Sequence, residues 1–153
     1  MTDAPAPAAD GPKLSDFLCF AIYSANLAFG RAYKPILEPL GLTYTQYIAL
    51  IALAEGGELT VGALGERLFL ESNTLTPILK KLEQLGLVDR RRDPADERQV
   101  QVSLTPAGRE LLARDPTTSL VEATGLGGDF AAVREAVATL RDNLLRAGAA
   151  AKA

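Results

Sequence analysis

The stretch LTVGALGERLFLESNTLTPILKKLEQLGLVDRRRDPADERQVQVSL, Leu59 to Leu104, decides the fold. Val61, Leu64 and Leu68 recur at helical spacing, which predicts a short helix from about Thr60 to Leu68. A second helix follows, with Ile78, Leu79, Leu82 and Leu85 as its buried stripe. Gly86 stands just past it, where a left-handed glycine commonly closes a helix. Its start has two readings. Ser72, Thr74 and Thr76 are all good N-caps. Pro77 lacks the amide that a helix interior needs, so it favours a start near Thr76; the other reading is an earlier start with a strained first turn. Beyond Gly86, Val100, Val102 and Leu104 alternate with Gln101 and Ser103, the period of a strand. Asp93-Pro94-Ala95-Asp96 supplies turn chemistry for a hairpin. A short helix, a turn, a helix and a hairpin in that order make a winged helix-turn-helix.

The flanks extend this plan. Upstream, LTYTQYIALIALAEGG pairs Thr43 with Gln46 at capping-box spacing, before an apolar run that stops at Gly56-Gly57. Further upstream, Leu14, Phe17, Leu18, Ala21, Ile22, Ala25, Ala28 and Phe29 are spaced as on a helix, and Phe20 and Leu27 lie on its other side. A helix apolar nearly all round is buried on several sides, and in a short chain a subunit interface provides the second face. A separate short helix is expected from Ala32 to Leu40, with Pro35 in its first turn and Gly41 after its end. Downstream, Thr105-Pro106 opens a helix that runs to about Arg114 and halts before Pro116. A connector rich in Thr and Gly leads to Asp129, an expected N-cap. Phe130, Val133, Val137, Leu140 and Leu144 then step by three and four, a seam that wants a partner helix. The fold expected is mainly α with a small β-wing. Residues 1–12 read as a disordered tail, and 13–153 as a single winged-helix domain. Its dimerisation helices are 13–30 and 129–147, and its DNA-binding core covers about 43–114.

The totals narrow the function. A chain of 153 residues with 48% apolar side chains can bury a real core. One cysteine excludes an intramolecular disulfide and fits a reducing compartment. There is no histidine, and the acidic residues show no ligand spacing, so no metal, haem or other cofactor is expected. MTDAPAPAADGPK has neither the basic nor the apolar segment of a signal peptide, and the apolar run Tyr47 to Ala54 is too short to span a bilayer. A cytoplasmic protein without membrane contact is expected. The net charge of −3 argues against a nucleic-acid partner, but residues 72–114 carry eight basic and six acidic side chains.

That local excess falls where a winged helix would meet DNA. Ser72, Asn73, Thr74 and Thr76 bring small polar groups to a helix N-terminus, where backbone N–H groups favour phosphate. Lys80 and Lys81 add charge a turn later. The hairpin carries Arg90, Arg91, Arg92 and Arg98, and an arginine at a hairpin tip suits the narrow minor groove. Singly, each arginine reads as a surface charge, and Arg90 and Arg91 are best read so; Arg92 and Arg98 are the expected contacts.

LTYTQYIALIALAE, LTVGALGERLFLESNTLTPILKKLEQLGLVDRRR and DERQVQVSLTPAGRELL together resemble the MarR family of bacterial repressors. With LCFAIYSA at the front and Tyr33 and Tyr44 following, the likeness narrows to the organic-hydroperoxide-sensing, OhrR-type branch of the one-cysteine kind, over about Lys13 to Ala147. The resemblance implies an obligate homodimer, joined by its terminal helices, on a pseudo-palindromic double-stranded operator. It puts the recognition helix in the major groove and Arg98 in the minor groove, with Asp96 orienting that arginine. Glu71-Ser72-Asn73 stands where relatives carry Asp-Ser-Gly, so Asn73 would exchange backbone access for a side-chain contact.

The resemblance also assigns a role to Cys19. By composition alone a free cysteine is a core residue. The likeness makes it a reactive thiol, with Tyr23 nearby and Tyr33 and Tyr44 supplied by the partner subunit. Thiol chemistry needs the thiolate, and two phenol O–H donors can stabilise that anion. The helix dipole is not expected to help, because Cys19 lies beyond the first turn of a helix that starts at Leu14. An organic hydroperoxide would be the inducer, oxidising Cys19 to a sulfenic acid. With no second cysteine, a low-molecular-weight thiol or further oxidation would complete the switch. The implied function is a redox-sensing repressor, not an enzyme. Thioredoxin-like peroxidases need a βαβ pattern that this chain lacks. The rival reading is a MarR-type regulator that answers a small phenolic or lipophilic ligand, with Cys19 inert.

Overall fold

The computed structural model describes residues 11–114 and 118–153. Most of the expected tail, and the expected helix stop at Pro116, lie outside the described residues. The chain forms two compact units that divide after Tyr44.

The first unit opens with a 3-10 turn, Leu14–Asp16, followed by helix α1, Leu18–Leu37, and a second 3-10 turn, Glu38–Leu40. Phe17 is extended and separates the first turn from α1, which therefore begins four residues later than the apolar spacing suggested. A 3-10 turn also brings residues i and i+3 to one side, so apolar periodicity runs across the break without marking it. The two helices expected on either side of Gly30 are one. A single interior glycine costs about 1 kcal/mol relative to alanine, too little to end a helix. Pro35 lies inside α1, not in a first turn, and withholds one N–H from the Arg31 carbonyl. Beyond α1, Leu42 N–H donates to the Leu37 carbonyl at 3.1 Å and Gly41 N–H to that of Glu38 at 2.9 Å. In the single chain Leu18, Phe20, Tyr23, Leu27 and Phe29 of α1 are exposed.

The second unit takes in nearly all of α2, Tyr44–Gly56, in which Tyr47, Ala49, Leu50, Ala52 and Leu53 are buried. Then come strand β1 (Leu59–Thr60), α3 (Val61–Leu68), α4 (Ser72–Gln84), β2 (Val88–Arg92), β3 (Val100–Leu104), α5 (Pro106–Ala113), α6 (Thr118–Ala123) and α7 (Phe130–Ala150). The sheet is antiparallel in the order β1-β3-β2. Val88 pairs with Leu104, Arg90 with Val102 and Arg92 with Val100. The hairpin is as expected; β1 is an addition, because two residues are too few to show a period.

Local chemistry sets the joints. The Thr60 hydroxyl accepts from Ala63 N–H at 3.0 Å and starts α3. The Thr105 hydroxyl accepts from Gly108 N–H at 3.1 Å, and Pro106 opens α5 behind it. α4 closes in a Schellman pair: Leu87 N–H donates to the Leu82 carbonyl at 3.0 Å, and Gly86 N–H to that of Glu83 at 2.9 Å. Gly86 takes φ 74°, which only a residue without Cβ adopts cheaply, and the turn sends the chain straight into β2. Around these joints Leu50, Leu53, Leu64, Leu75, Leu79, Leu82, Val88 and Val102 are fully buried. Each such side chain contributes about 1.5–3 kcal/mol by leaving water. The buried stripe of α4 is thus Leu75, Leu79 and Leu82; Ile78 is half-buried and Leu85 exposed, so the stripe sits one turn earlier than expected.

Two expectations past α5 are corrected. The connector holds α6, whose Leu120 is buried. Asp129 precedes α7 but has helical backbone angles and makes no side-chain cap bond, because it already ends a 3-10 turn, Gly127–Asp129. α7 buries no residue in the single chain and leaves Val133, Val137, Leu144 and Leu145 exposed. Among the described residues no single helix is long and apolar enough to cross a membrane.

Candidate nucleic-acid interface and thiol site

Helix α4 takes the earlier of its two possible starts. Glu71 is extended and makes no side-chain cap; its carbonyl accepts from the N–H groups of Thr74 and Leu75, both at 3.0 Å. Thr76 is therefore not a cap. Its hydroxyl donates to the Ser72 carbonyl one turn back, at 2.8 Å. Pro77 is interior and leaves the Asn73 carbonyl without its usual donor. With Leu75, Leu79 and Leu82 facing inward, the helical period puts Asn73, Pro77 and Lys80 on the outward face. Ser72 and Thr76 flank one side of it, Thr74 and Lys81 the other. All are exposed. The polar groups expected to meet DNA thus share one solvent-facing surface of α4.

The wing is stiffer than its arginine count suggests. Arg90 grips Glu83 of α4 at two points: Nε to Oε2 at 3.3 Å and Nη2 to Oε1 at 3.1 Å. That contact holds the Glu83 carboxyl below its ordinary range. Arg91, on the other face of β2, donates to Glu58 Oε2 at 2.7 Å, and this bond strengthens its hold on its proton. At the tip, Asp93 accepts from Ala95 N–H at 2.8 Å and from the Gln101 amide at 3.1 Å. The first of these bonds is the main reason its carboxyl is held below the usual range. Asp96 Oδ1 accepts from both the backbone N–H of Arg98, at 3.2 Å, and its Nε, at 3.1 Å. The Arg98 side chain is nonetheless 91% exposed. Arg92 is exposed and has no ion pair among the described residues. Arg90 is largely covered in its pair with Glu83, whereas Arg91, Arg92 and Arg98 are exposed.

Sequence reading placed Asp93 in the turn, where it caps Ala95 N–H, but missed Glu58, Glu83 and Gln101 as groups that hold the wing. Glu83 and Arg90 are seven residues apart across a helix end, and Glu58 and Arg91 come from separate segments. No local period pairs them.

The thiol lies in the first unit. Cys19 is exposed and is the second residue of α1. It is therefore in the first turn, contrary to expectation, where unpaired N–H groups and the helix dipole favour an anion. Tyr23 is one turn further along, exposed, with its ring 6.2 Å from that of Phe20. The Tyr33 and Tyr44 rings meet at 4.8 Å. These two stand apart from Cys19 in the same chain, since fourteen residues of helix between Cys19 and Tyr33 span about 21 Å. Among the described residues the Cys19 thiol has no hydrogen-bond partner.

Residues 31–114 match the family model described as transcriptional regulator SarA/Rot. Over 138 residues the chain is 42% identical to the organic hydroperoxide resistance transcriptional regulator of Bacillus subtilis, covering 88% of this chain and 94% of that protein. The structure is similar to that of AbfR of Staphylococcus epidermidis, with a TM-score of 0.74 and 32% identity over 87% of this chain and 92% of that one. It is also similar to reduced AbfR bound to DNA, with a TM-score of 0.73 and 34% identity over 86% of this chain and 94% of that one. These relatives are regulators, not enzymes. The chain belongs to the SarA/Rot family of transcriptional regulators, with the MarR-like winged helix, and is a DNA-binding regulator of transcription.

Proposed function

We propose that this regulator is a homodimeric repressor that senses organic hydroperoxides through Cys19. The observation that carries the reading is the setting of the only thiol. Cys19 is exposed in the first turn of α1 beside exposed Phe17, Leu18 and Phe20, in a chain resembling a regulator of organic hydroperoxide resistance. The apolar surround favours lipophilic peroxides over hydrogen peroxide.

The exposed apolar faces of α1 and α7 are covered by a second copy. In that dimer the Tyr33–Tyr44 pair of the second copy meets Cys19 and donates phenol hydrogen bonds to the thiolate. The thiolate attacks the terminal oxygen of the hydroperoxide. The O–O bond breaks, sulfur is oxidised to the sulfenic acid, and the peroxide leaves as an alkoxide that takes a proton to become the alcohol. A low-molecular-weight thiol then condenses with the sulfenic acid, releasing water and leaving a mixed disulfide. The added bulk displaces the phenols and shifts the two α4 helices relative to a pseudo-palindromic operator. On that operator Ser72, Asn73, Thr74, Thr76, Lys80 and Lys81 face the major groove. Arg92 and Arg98, the latter held by Asp96, reach the minor groove and its phosphates.

The Cys19→Ser protein tests this reading. It is expected to bind operator like the parent and to stay bound when cumene hydroperoxide releases the parent. Release of both proteins alike would refute peroxide sensing at Cys19.

A second reading has one observation in its favour. Tyr33, Lys34, Leu37, Leu42 and Tyr44 line a cleft of about 440 Å³ in the first unit. A small phenolic or lipophilic effector bound there would make Cys19 incidental, and the Cys19→Ser protein would then retain full induction by that effector.

A further inference from the structure

Glu83 is an acidic side chain next to a surface that meets a polyanion. An exposed carboxylate there weakens DNA binding by like-charge repulsion, unless it does something that offsets the loss. Its geometry shows what that is. Glu83 lies in the last turn of α4, about 10 Å along the helix axis from Thr76. The Schellman turn at Gly86 returns the chain at once, so Arg90 of β2 comes back beside it. The guanidinium meets the carboxylate in a two-point fork, which fixes an angle as well as a distance. The Arg90 side chain is only 22% exposed, with its guanidinium engaged by the Glu83 carboxylate.

We propose that Glu83 is a positioning residue for operator recognition. Through Arg90 it clamps the stem of the wing to the recognition helix, and so sets the spacing between the groups of α4 that enter one groove and the arginines at the wing tip that enter the next. Arg90 is its partner and not a phosphate contact. This rests on the DNA-binding reading and is independent of peroxide sensing.

The test uses the full-length protein and two duplexes. One is a 26-base-pair duplex enriched by the parent from a random-sequence library; the other is poly(dI-dC). Kd is measured across a salt series for the parent, Glu83→Gln, Arg90→Gln and the charge swap Glu83→Arg with Arg90→Glu. Thermal unfolding and circular dichroism are followed in parallel. Glu83→Gln is expected to lose about fivefold in affinity for the enriched duplex. Its affinity for poly(dI-dC) is expected to hold or to tighten. Arg90→Gln is expected to weaken the enriched duplex similarly with an unchanged salt slope, and the swap to recover most of the loss. Tightening of both duplexes by Glu83→Gln would show a bystander anion and overturn the proposal. A salt slope reduced by about 1 in Arg90→Gln would show a phosphate contact and overturn it too. If the parent enriches no duplex, it is the DNA-binding reading that fails.

Discussion

The guanidinium carbon of Arg141 sits 4.6 Å from the centroid of the Phe69 ring, so α7 is fastened to the turn between α3 and α4. Phe69 is the only non-glycine residue with positive φ among the described residues, at 57°. A left-handed phenylalanine costs about 1–2 kcal/mol, and the contact with Arg141 offsets part of it. In a double-mutant cycle, Phe69→Asn and Arg141→Gln should show a coupling energy of about 0.5–1 kcal/mol in urea unfolding. Strictly additive losses would make the contact incidental.

Gly108 has no room for a side chain. A Cβ there would lie 2.3 Å from the Leu87 carbonyl oxygen, and backbone cannot step aside. Gly108→Ala should destabilise by about 3 kcal/mol, read from the urea midpoint. Gly62, in the first turn of α3, meets nothing closer than 4.0 Å. There Gly62→Ala should stabilise by about 0.5–1 kcal/mol through the entropy of the unfolded chain.

The Asp93 carboxyl is held below its ordinary range by Ala95 N–H and the Gln101 amide. A carboxyl whose folded value is depressed adds stability above its unfolded value, and that contribution fades as pH falls through the folded one. Parent and Asp93→Asn should therefore differ most near neutral pH, and the difference should shrink below about pH 4. A gap that stays constant down to pH 3 would assign the effect to shape and not to charge.

Arg98 is held by Asp96 yet almost wholly exposed. Arg98→Ala should weaken binding to all duplexes and lower the salt slope by about 1. Asp96→Asn should leave the slope near its parent value while weakening the enriched duplex, because the charge remains but its aim is lost. Equal slopes for parent and Arg98→Ala would remove Arg98 from the interface.

Tyr33 and Tyr44 are proposed to act on the thiol of the other copy. Tyr33→Phe and Tyr44→Phe should each slow alkylation of Cys19 at neutral pH by about tenfold, the loss of one hydrogen bond to an anion. Mixed dimers of Cys19→Ser with Tyr33→Phe distinguish the source of the phenol. If it comes from the other copy, the remaining thiol meets an intact Tyr33 and reacts like the parent.

The winged-helix order was legible because each element carries its own signal. Val61, Leu64 and Leu68 show the helical period, and Thr105-Pro106 marks a helix start. Val100, Val102 and Leu104 alternate as a strand must. Polar residues at the front of α4 marked its surface because nothing apolar covers them. The later start of α1 was hidden, since the 3-10 turn at Leu14–Asp16 keeps the apolar spacing intact.

What the sequence by itself determined, then, is the succession of elements and the chemical character of the surface α4 presents, both written in neighbours a few residues apart. What only the tertiary structure decided is which charges are at liberty. Glu83 with Arg90, Glu58 with Arg91 and Phe69 with Arg141 are separated by helix ends, turns or most of the second unit. Ion pairs and ring contacts depend on distance in space, and the packing of Leu64, Leu75, Leu79, Leu82, Val88 and Val102 sets those distances. The place of Cys19 in the first turn of α1 is of the same kind, because one extended residue, Phe17, moves the helix start and with it the field around the sulfur.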